Sequence, residues 1–229
     1  MTTRATRTPL SRERVLVAAV ALVDAEGIRA LTMRRLAAEL GVEAMSLYHY
    51  LPGKQALLDG VVGAVVAEIM ASVGGLHPAR ADEDWRTQLR RQFLAARQVM
   101  LRHPWMPALL NTSRTVPAAV YGYYDEIVGT LIGAGFSYRL AHRALHAFGS
   151  LPLGFAQEIF SPDSAGGSMD ADSAEADFAA MAEALPHLTA MVETEIHDVT
   201  DPTLGWCDGQ VEFEFTLDLL LNGLERLRG

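Results

Sequence analysis

Tyr48, His49, Tyr50 and Lys54 place two phenols, an imidazole and the only lysine of a 229-residue chain within seven positions. Just before them, Ser46 and Tyr48 offer hydroxyls that can donate to phosphate oxygens, while Ala44 and Met45 can touch thymine methyl groups. Arg34 and Arg35 stand ten residues earlier and would flank the same surface. These residue types can hold a polyanion and read base edges. The chain shows no activated nucleophile, no paired-carboxylate motif and no phosphate loop, so no catalytic residue is assigned.

Net charge sharpens this reading. The formal charge is −9, a poor start for approaching nucleic acid. Residues 1–54, however, carry eight Lys and Arg against five Asp and Glu, a balance of +3. The other 175 residues therefore hold 11 against 23, or −12. A basic head on an acidic body suits a head that meets phosphates, because non-specific affinity for nucleic acid comes mainly from local cation contacts. Half the residues are apolar, enough for a sizeable core. The single cysteine, Cys207, has no intramolecular partner, and "MTTRATRTPLSRERV" lacks the apolar run of a secretory signal. The longest charge-free run, Ala144 to Gln157, is too short for a bilayer and contains Pro152. A soluble protein of the reducing cytoplasm is expected.

The elements that must position the cluster follow from apolar spacing. Val15, Ala18, Ala19, Leu22 and Val23 recur at helical intervals between Ser11, a plausible N-cap, and Gly27, giving a helix over about 12–26. Thr32 can cap a second, eight-residue helix with inner residues Met33, Leu36, Ala37 and Leu40, stopped by Gly41. Val42 and Leu47 support a third over about 43–50, before Pro52 and Gly53 break the chain. Two short helices joined at a glycine, with small Ala37 and Ala38 permitting close approach, meet the requirements of a helix-turn-helix. A fourth helix from Lys54 to about 73 bears a stripe of Leu57, Leu58, Val61, Val62, Val65, Val66 and Ile69, too wide for one neighbour. Residues 74–82 read as a loop. Further helices are expected over about 83–102, through Leu109 and Leu110, from Pro117 to about 134, and from a cap at Ser137 to about 160, with Pro152 kinking or interrupting the last. Residues 161–173 read as a mobile loop. "VEFEFTLDLLLNGLERL" alternates like a strand at first, but its helical stripe lasts fifteen residues and a helix is expected. The fold class is therefore all-α: a three-helix head over 1–54, then a larger helical body over 55–229.

At this point the residues resemble a known family. "LTMRRLAAELGVEAMSLYHYLPGKQALLD" is similar to the DNA-binding motif of the TetR family of transcriptional regulators, with its Leu-Thr-x-Arg-x-Leu-Ala opening, Leu-Gly-Val turn, Leu-Tyr pair and lysine at the start of helix four. The resemblance covers residues 10–60 directly. The remainder resembles the tetracycline-repressor-like C-terminal class more loosely, through "RHPWMPALL" and the final apolar helix. It implies operator contacts from Thr32, Met33, Arg34, Ala44, Met45, Ser46, Tyr48, His49, Tyr50 and Lys54. Ala44-Met45 and Pro52-Gly53 depart from the Gln-Pro and Lys-Asn of the tetracycline repressor, so its operator does not carry over.

The resemblance also implies a homodimer, double-stranded operator DNA as partner, and a small-molecule effector in each body. The interface is expected on Phe148, Phe213, Leu217, Leu220 and Leu224, because a terminal helix with apolar surface to spare more often mates with a second copy than thickens a monomer core. Met100, His103, Trp105, Asn111, Arg114, Tyr121, Tyr124, His142, His146 and Phe155, with Trp85, supply the aromatic and polar mixture of a ligand site. His142 with His146, and Glu193 with His197, have zinc-compatible spacing but no third ligand at a recognisable interval, so neither metal nor cofactor is expected. "GAGFSY" lacks the third glycine of a dinucleotide loop and reads as a helix connection. Asn111 heads a glycosylation sequence in form only. The expected function is a ligand-responsive repressor; the alternatives are a dimeric small-molecule binder without operator binding and a helical enzyme.

Overall fold

Ser11 and Thr32 start the first two helices by the same device: each extended residue lends its hydroxyl oxygen to the amide three residues on, Arg14 N at 3.1 Å and Arg35 N at 3.1 Å. The computed structural model describes residues 9–76, 83–112, 116–155, 184–195 and 209–228. It contains helices α1 (Arg12–Glu26), α2 (Met33–Leu40), α3 (Ala44–Tyr48), α4 (Lys54–Leu76) and α5 (Trp85–Arg102). After these come α6 (Met106–Thr112), α7 (Ala118–Gly133), α8 (Tyr138–Phe155), α9 (Pro186–Glu195) and α10 (Gly209–Leu227). A single 3₁₀ turn, Ile28–Ala30, links α1 to α2. No strand occurs among the described residues, so the alternating start of the terminal segment is helical.

Most sequence boundaries lie within a residue or two of the observed ones. Four differ. Helix α4 runs on through Gly74 and Gly75 to Leu76, shortening the expected loop at its N-terminal end. Pro117 stands as N-cap of α7 rather than in its first turn. Helix α8 continues through Pro152 to Phe155 without interruption, and helix α9 has no counterpart among the expected elements. The expected loop at 161–173 lies outside the described residues.

The chain divides into two compact units, Met1–Leu145 and His146–Gly229. In the first, α1 packs on α2 and α4, α2 on α3, and α4 on α5 and α7. One apolar core runs through them: Val15, Leu16, Ala19, Leu22 and Val23 of α1, Leu36 and Ala37 of α2, Leu47 of α3, and Leu57, Val61, Val62, Val65, Val66 and Ile69 of α4. Helix α4 is long and apolar enough to cross a membrane by composition, but its stripe is the middle of this core. Trp85 of α5 meets Phe136 edge to face at 4.8 Å between ring centroids. In the second unit the buried residues include Phe148 and Leu151 on α8 and Phe213, Leu217, Leu221 and Leu224 on α10.

Candidate nucleic-acid interface and effector site

Gly41 makes the turn of the helix-turn-helix. Its backbone is left-handed, at φ 64° and ψ 39°, and its amide reaches back to Ala37 O and Ala38 O, while Val42 N bonds Ala37 O at 3.0 Å. A side chain at that φ would be strained, which is why glycine ends α2 and redirects the chain into α3. Leu47 and Leu51, both fully buried, hold α3 down. Helix α3 is then free to present Met45, 72% exposed, and Tyr48, 44% exposed. His49 follows at the exposed C-cap, and Lys54, the first residue of α4, is exposed as well. Thr32 and Arg34 are exposed, and Met33, Ala44 and Ser46 are half-buried.

Two members of the cluster are engaged within the chain. Tyr50 is half-buried against the core and donates its hydroxyl proton to Leu10 O at 2.8 Å, so it fastens the N-terminal segment to the head. Arg35, expected beside Arg34 at the groove, instead pairs with Glu26 of α1 and with Glu39 one turn on at 2.8 Å. The hydrogen bonds to those carboxylates push its guanidinium pKa up. Arg34 remains the outward-facing arginine of the two.

The residues expected to line an effector site differ in their surroundings. His103 is buried, but both its ring nitrogens are engaged: Nδ1 lies 2.7 Å from Asp24 Oδ1 and Nε2 3.0 Å from Glu68 Oε2. Trp105 donates its indole N–H to the same Asp24 oxygen at 2.7 Å. These two residues fasten helices to one another. Asn111, Tyr121, His142 and His146 are exposed, Met100 and Tyr124 half-buried. Phe155 closes the described part of α8, and Arg114 and His197 lie outside the described residues. Among the described residues no group of three or more His, Cys, Asp and Glu side chains could hold a metal.

Sequence reading missed Tyr123. Its hydroxyl is sealed from solvent on α7 and has no hydrogen-bond partner among the described residues, and its ring lies 6.1 Å from that of Tyr124. Burial pushes its phenol pKa up, with smaller electrostatic contributions from neighbouring Tyr124 and Glu126, and burial does the same for Tyr124. An orphaned buried hydroxyl costs about 1–3 kcal/mol, which a bound molecule able to pair with it would recover. Buried Gln92 and Arg97 on α5 add polarity to the same unit. No periodicity flags Tyr123, since it is one of three tyrosines in four positions and only packing decides which turns inward.

The residues expected at the interface differ in burial. Phe148, Phe213, Leu217 and Leu224 are buried within the single chain, and Leu220 is half-buried. A side chain with almost no accessible surface has none to offer a second copy. The apolar surface to spare lies on the other side of α10, on Val211, Phe215, Leu219 and Leu227, each more than half exposed.

Residues 77–228 match the family described as "Tetracyclin repressor-like, C-terminal domain", and residues 15–61 match "Bacterial regulatory proteins, tetR family". The chain is 41% identical over 133 residues to the HTH-type transcriptional repressor DrrR1 of Streptomyces coeruleorubidus, spanning 46% of that protein, about half its length. It is 29% identical over 220 residues to the class C tetracycline repressor of Escherichia coli, covering 96% of this chain and 92% of that one. Among solved structures, one described as a possible TetR family transcriptional regulator from Streptomyces coelicolor A3(2) superposes with a TM-score of 0.72 at 30% identity, over 95% of this chain and 100% of that one. The Streptomyces coelicolor TetR family protein ActR, in complex with actinorhodin, superposes with a TM-score of 0.70 at 25% identity, over 97% and 100%. A regulator's head matched at one end and a tetracycline-repressor-like body over most of the rest agree with the helix-turn-helix seen in α2 and α3: the chain belongs to the TetR family of transcriptional regulators.

Proposed function

We propose that this protein is a cytoplasmic repressor, released from a two-fold operator by a small molecule, with residues 1–54 as the DNA-binding head and 55–229 as the effector-binding and dimerising body. One observation carries the reading: α3 is pinned by Leu47 and Leu51 and turns Met45, Tyr48 and His49 outward, with exposed Lys54 at the start of the next helix. Phosphate contacts from Lys54, Tyr48, Thr32 and Arg34 position such a helix, and Met45, Ala44, Ser46 and His49 are left to meet base edges.

Helix α4 is the mechanical link. Its Leu57 and Val61 belong to the core that includes α1 and α3, and it packs along α5 and α7. A ligand shifts affinity only by its preference for one head spacing over the other, and typical couplings of about 1–3 kcal/mol change affinity roughly 5–150-fold. The body of this chain offers the Tyr123 hydroxyl as a polar anchor amid apolar walls, which suits an effector with an aromatic or apolar frame and at least one hydrogen-bonding group. Minocycline and actinorhodin, held by solved relatives from Acinetobacter baumannii and Streptomyces coelicolor, are compatible with that class. The deciding experiment is a mobility-shift assay with the DNA upstream of the protein's own coding sequence. A retarded band that dissolves on adding a compound found by thermal-shift screening is expected. No sequence-specific retardation at low salt would leave a small-molecule binder without operator function.

A further inference from the structure

Glu68 is the only ionisable residue between Gly60 and Leu76 on α4. Its partners come from the end of α5: Arg102 donates from Nε at 3.1 Å and Nη2 at 2.6 Å to Oε1, and His103 Nε2 meets Oε2 at 3.0 Å. The opposite ring nitrogen, Nδ1, meets Asp24 Oδ1 of α1 at 2.7 Å, and Trp105 Nε1 donates to that same oxygen. The charged groups facing the ring are thus Asp24 from α1 and Glu68 from α4, with Arg102 behind Glu68. A carboxylate only accepts, so a ring with a carboxylate at each nitrogen makes both bonds only as imidazolium. The charge count agrees: two carboxylates and one guanidinium leave −1, and the protonated ring brings the cluster to zero. Desolvation pushes the Glu68 carboxyl up, yet the hydrogen bonds from Arg102 and His103 outweigh it and hold the group below its usual range.

We propose that His103 is a positioning residue for operator binding, a protonated imidazole that ties α1 of the head to α4 and to the corner between α5 and α6, so that operator affinity follows the charge of this ring. The inference rests on the operator reading above. When the proton leaves, one of the two ring bonds is lost. Neither carboxylate is orphaned, because Asp24 keeps Trp105 and Glu68 keeps Arg102. The latch therefore loosens while the core around Leu22, Val65 and Val99 stays buried. A loosened α1 lets the head sample other orientations, and apparent operator affinity falls in proportion to the fraction still competent to bind. The sign follows: the tie is complete at low pH and weakens as pH rises through the titration of the ring. The informative quantity is the difference between the wild type and His103→Gln, in which the contributions of all other ionisable groups, His49 in the candidate groove among them, cancel.

Operator affinity of the two proteins is measured at fixed ionic strength from about pH 5.5 to 9, the window in which histidine commonly titrates. The His103 ring signal is followed over the same range by carbon-13 NMR, assigned by its loss in His103→Gln. The wild type is expected to lose at least about fivefold more affinity across the window than the variant, the lower end of typical site-to-site coupling. The midpoint should coincide with the ring titration, and both proteins should keep equal helical circular dichroism. Parallel affinity profiles, or a ring that does not titrate in step with affinity, overturn the proposal. Should His103→Gln fail to fold, Asp24→Asn takes its place in the affinity comparison: its amide can accept from or donate to the ring without the extra proton, so a flatter pH profile than the wild type's is expected and parallel profiles overturn the proposal. A ring that titrates in a protein that retards no DNA would instead sink the operator reading, and the two failures are told apart by the NMR signal.

Discussion

Arg34, Arg35 and Lys54 are three cations of one head with three fates. Arg35 is held between Glu26 and Glu39, which sets α1 against α2 and takes its charge away from any phosphate. Arg34 and Lys54 point outward. Lys54, alone at the N-terminus of α4, is the cation most easily tested by deletion. In Lys54→Ala the slope of log operator affinity against log salt is expected to become shallower by about one for each phosphate that this ammonium neutralises, while helical circular dichroism is unchanged. An unaltered slope would mean that Lys54 does not reach phosphate. The sequence made Met45, Tyr48, His49 and Lys54 legible as a group because α3 is short and Val42 and Leu47 were the apolar residues able to hold it down. It did not make the fate of Arg35 or His103 legible. The partners of Arg35 stand nine residues back and four on, and those of His103 stand 79 and 35 residues away, so only the fold brings them together. One signal was present: a lone Glu68 in the long apolar run of α4 has to find a cation.

At the scale of elements, spacing served well wherever one face dominates. The caps at Ser11 and Thr32, the stop at Gly41 and the wide stripe of α4 were all readable, since each depends on local backbone chemistry or on helical period. The terminal helix α10 shows the limit of that approach. Its apolar residues occupy more than one face, and periodicity cannot say which face meets the rest of the chain and which meets solvent. Helix α4 carries a second constraint that spacing hides. A Cβ on Gly60 would come within 2.6 Å of Leu16 Cδ2, so this glycine sets how closely α1 approaches α4. Leu16 is nearly buried and has little room to yield. Overpacking of this kind costs about 1–3 kcal/mol, against a gain of about 1 kcal/mol from replacing glycine by alanine within a helix. Gly60→Ala is therefore expected to lower the urea midpoint modestly and to weaken operator binding by shifting α1. A midpoint that rises would show that Leu16 moves aside at no cost and that the close approach is incidental.

The proposed repressor requires two heads. A two-fold operator presents half-sites about 34–36 Å apart, one turn of B-DNA, and a single head of this size meets one of them. The proposed pairing surface is an exposed apolar row on α10 at four-residue steps: Val211, Phe215 and Leu219 are more than half exposed, and Leu227 continues the same side two turns later. Soluble chains rarely leave such a row open to water, and the opposite side of the helix is already filled by Phe213, Leu217, Leu221 and Leu224. The two faces give opposite predictions for the same substitution. Phe215→Glu places a charge on the open face, so the isolated chain should fold normally while light scattering reports the monomer mass in place of the dimer. Operator affinity should fall with it, because two linked heads bind far more tightly than one. Leu217→Glu puts the charge into the filled face, where an unpaired buried carboxylate destabilises the fold itself, and loss of helical signal is expected instead. If Phe215→Glu remains a dimer with unchanged mass, the pairing surface does not include this face of α10, and the exposed apolar row has to be explained by another partner.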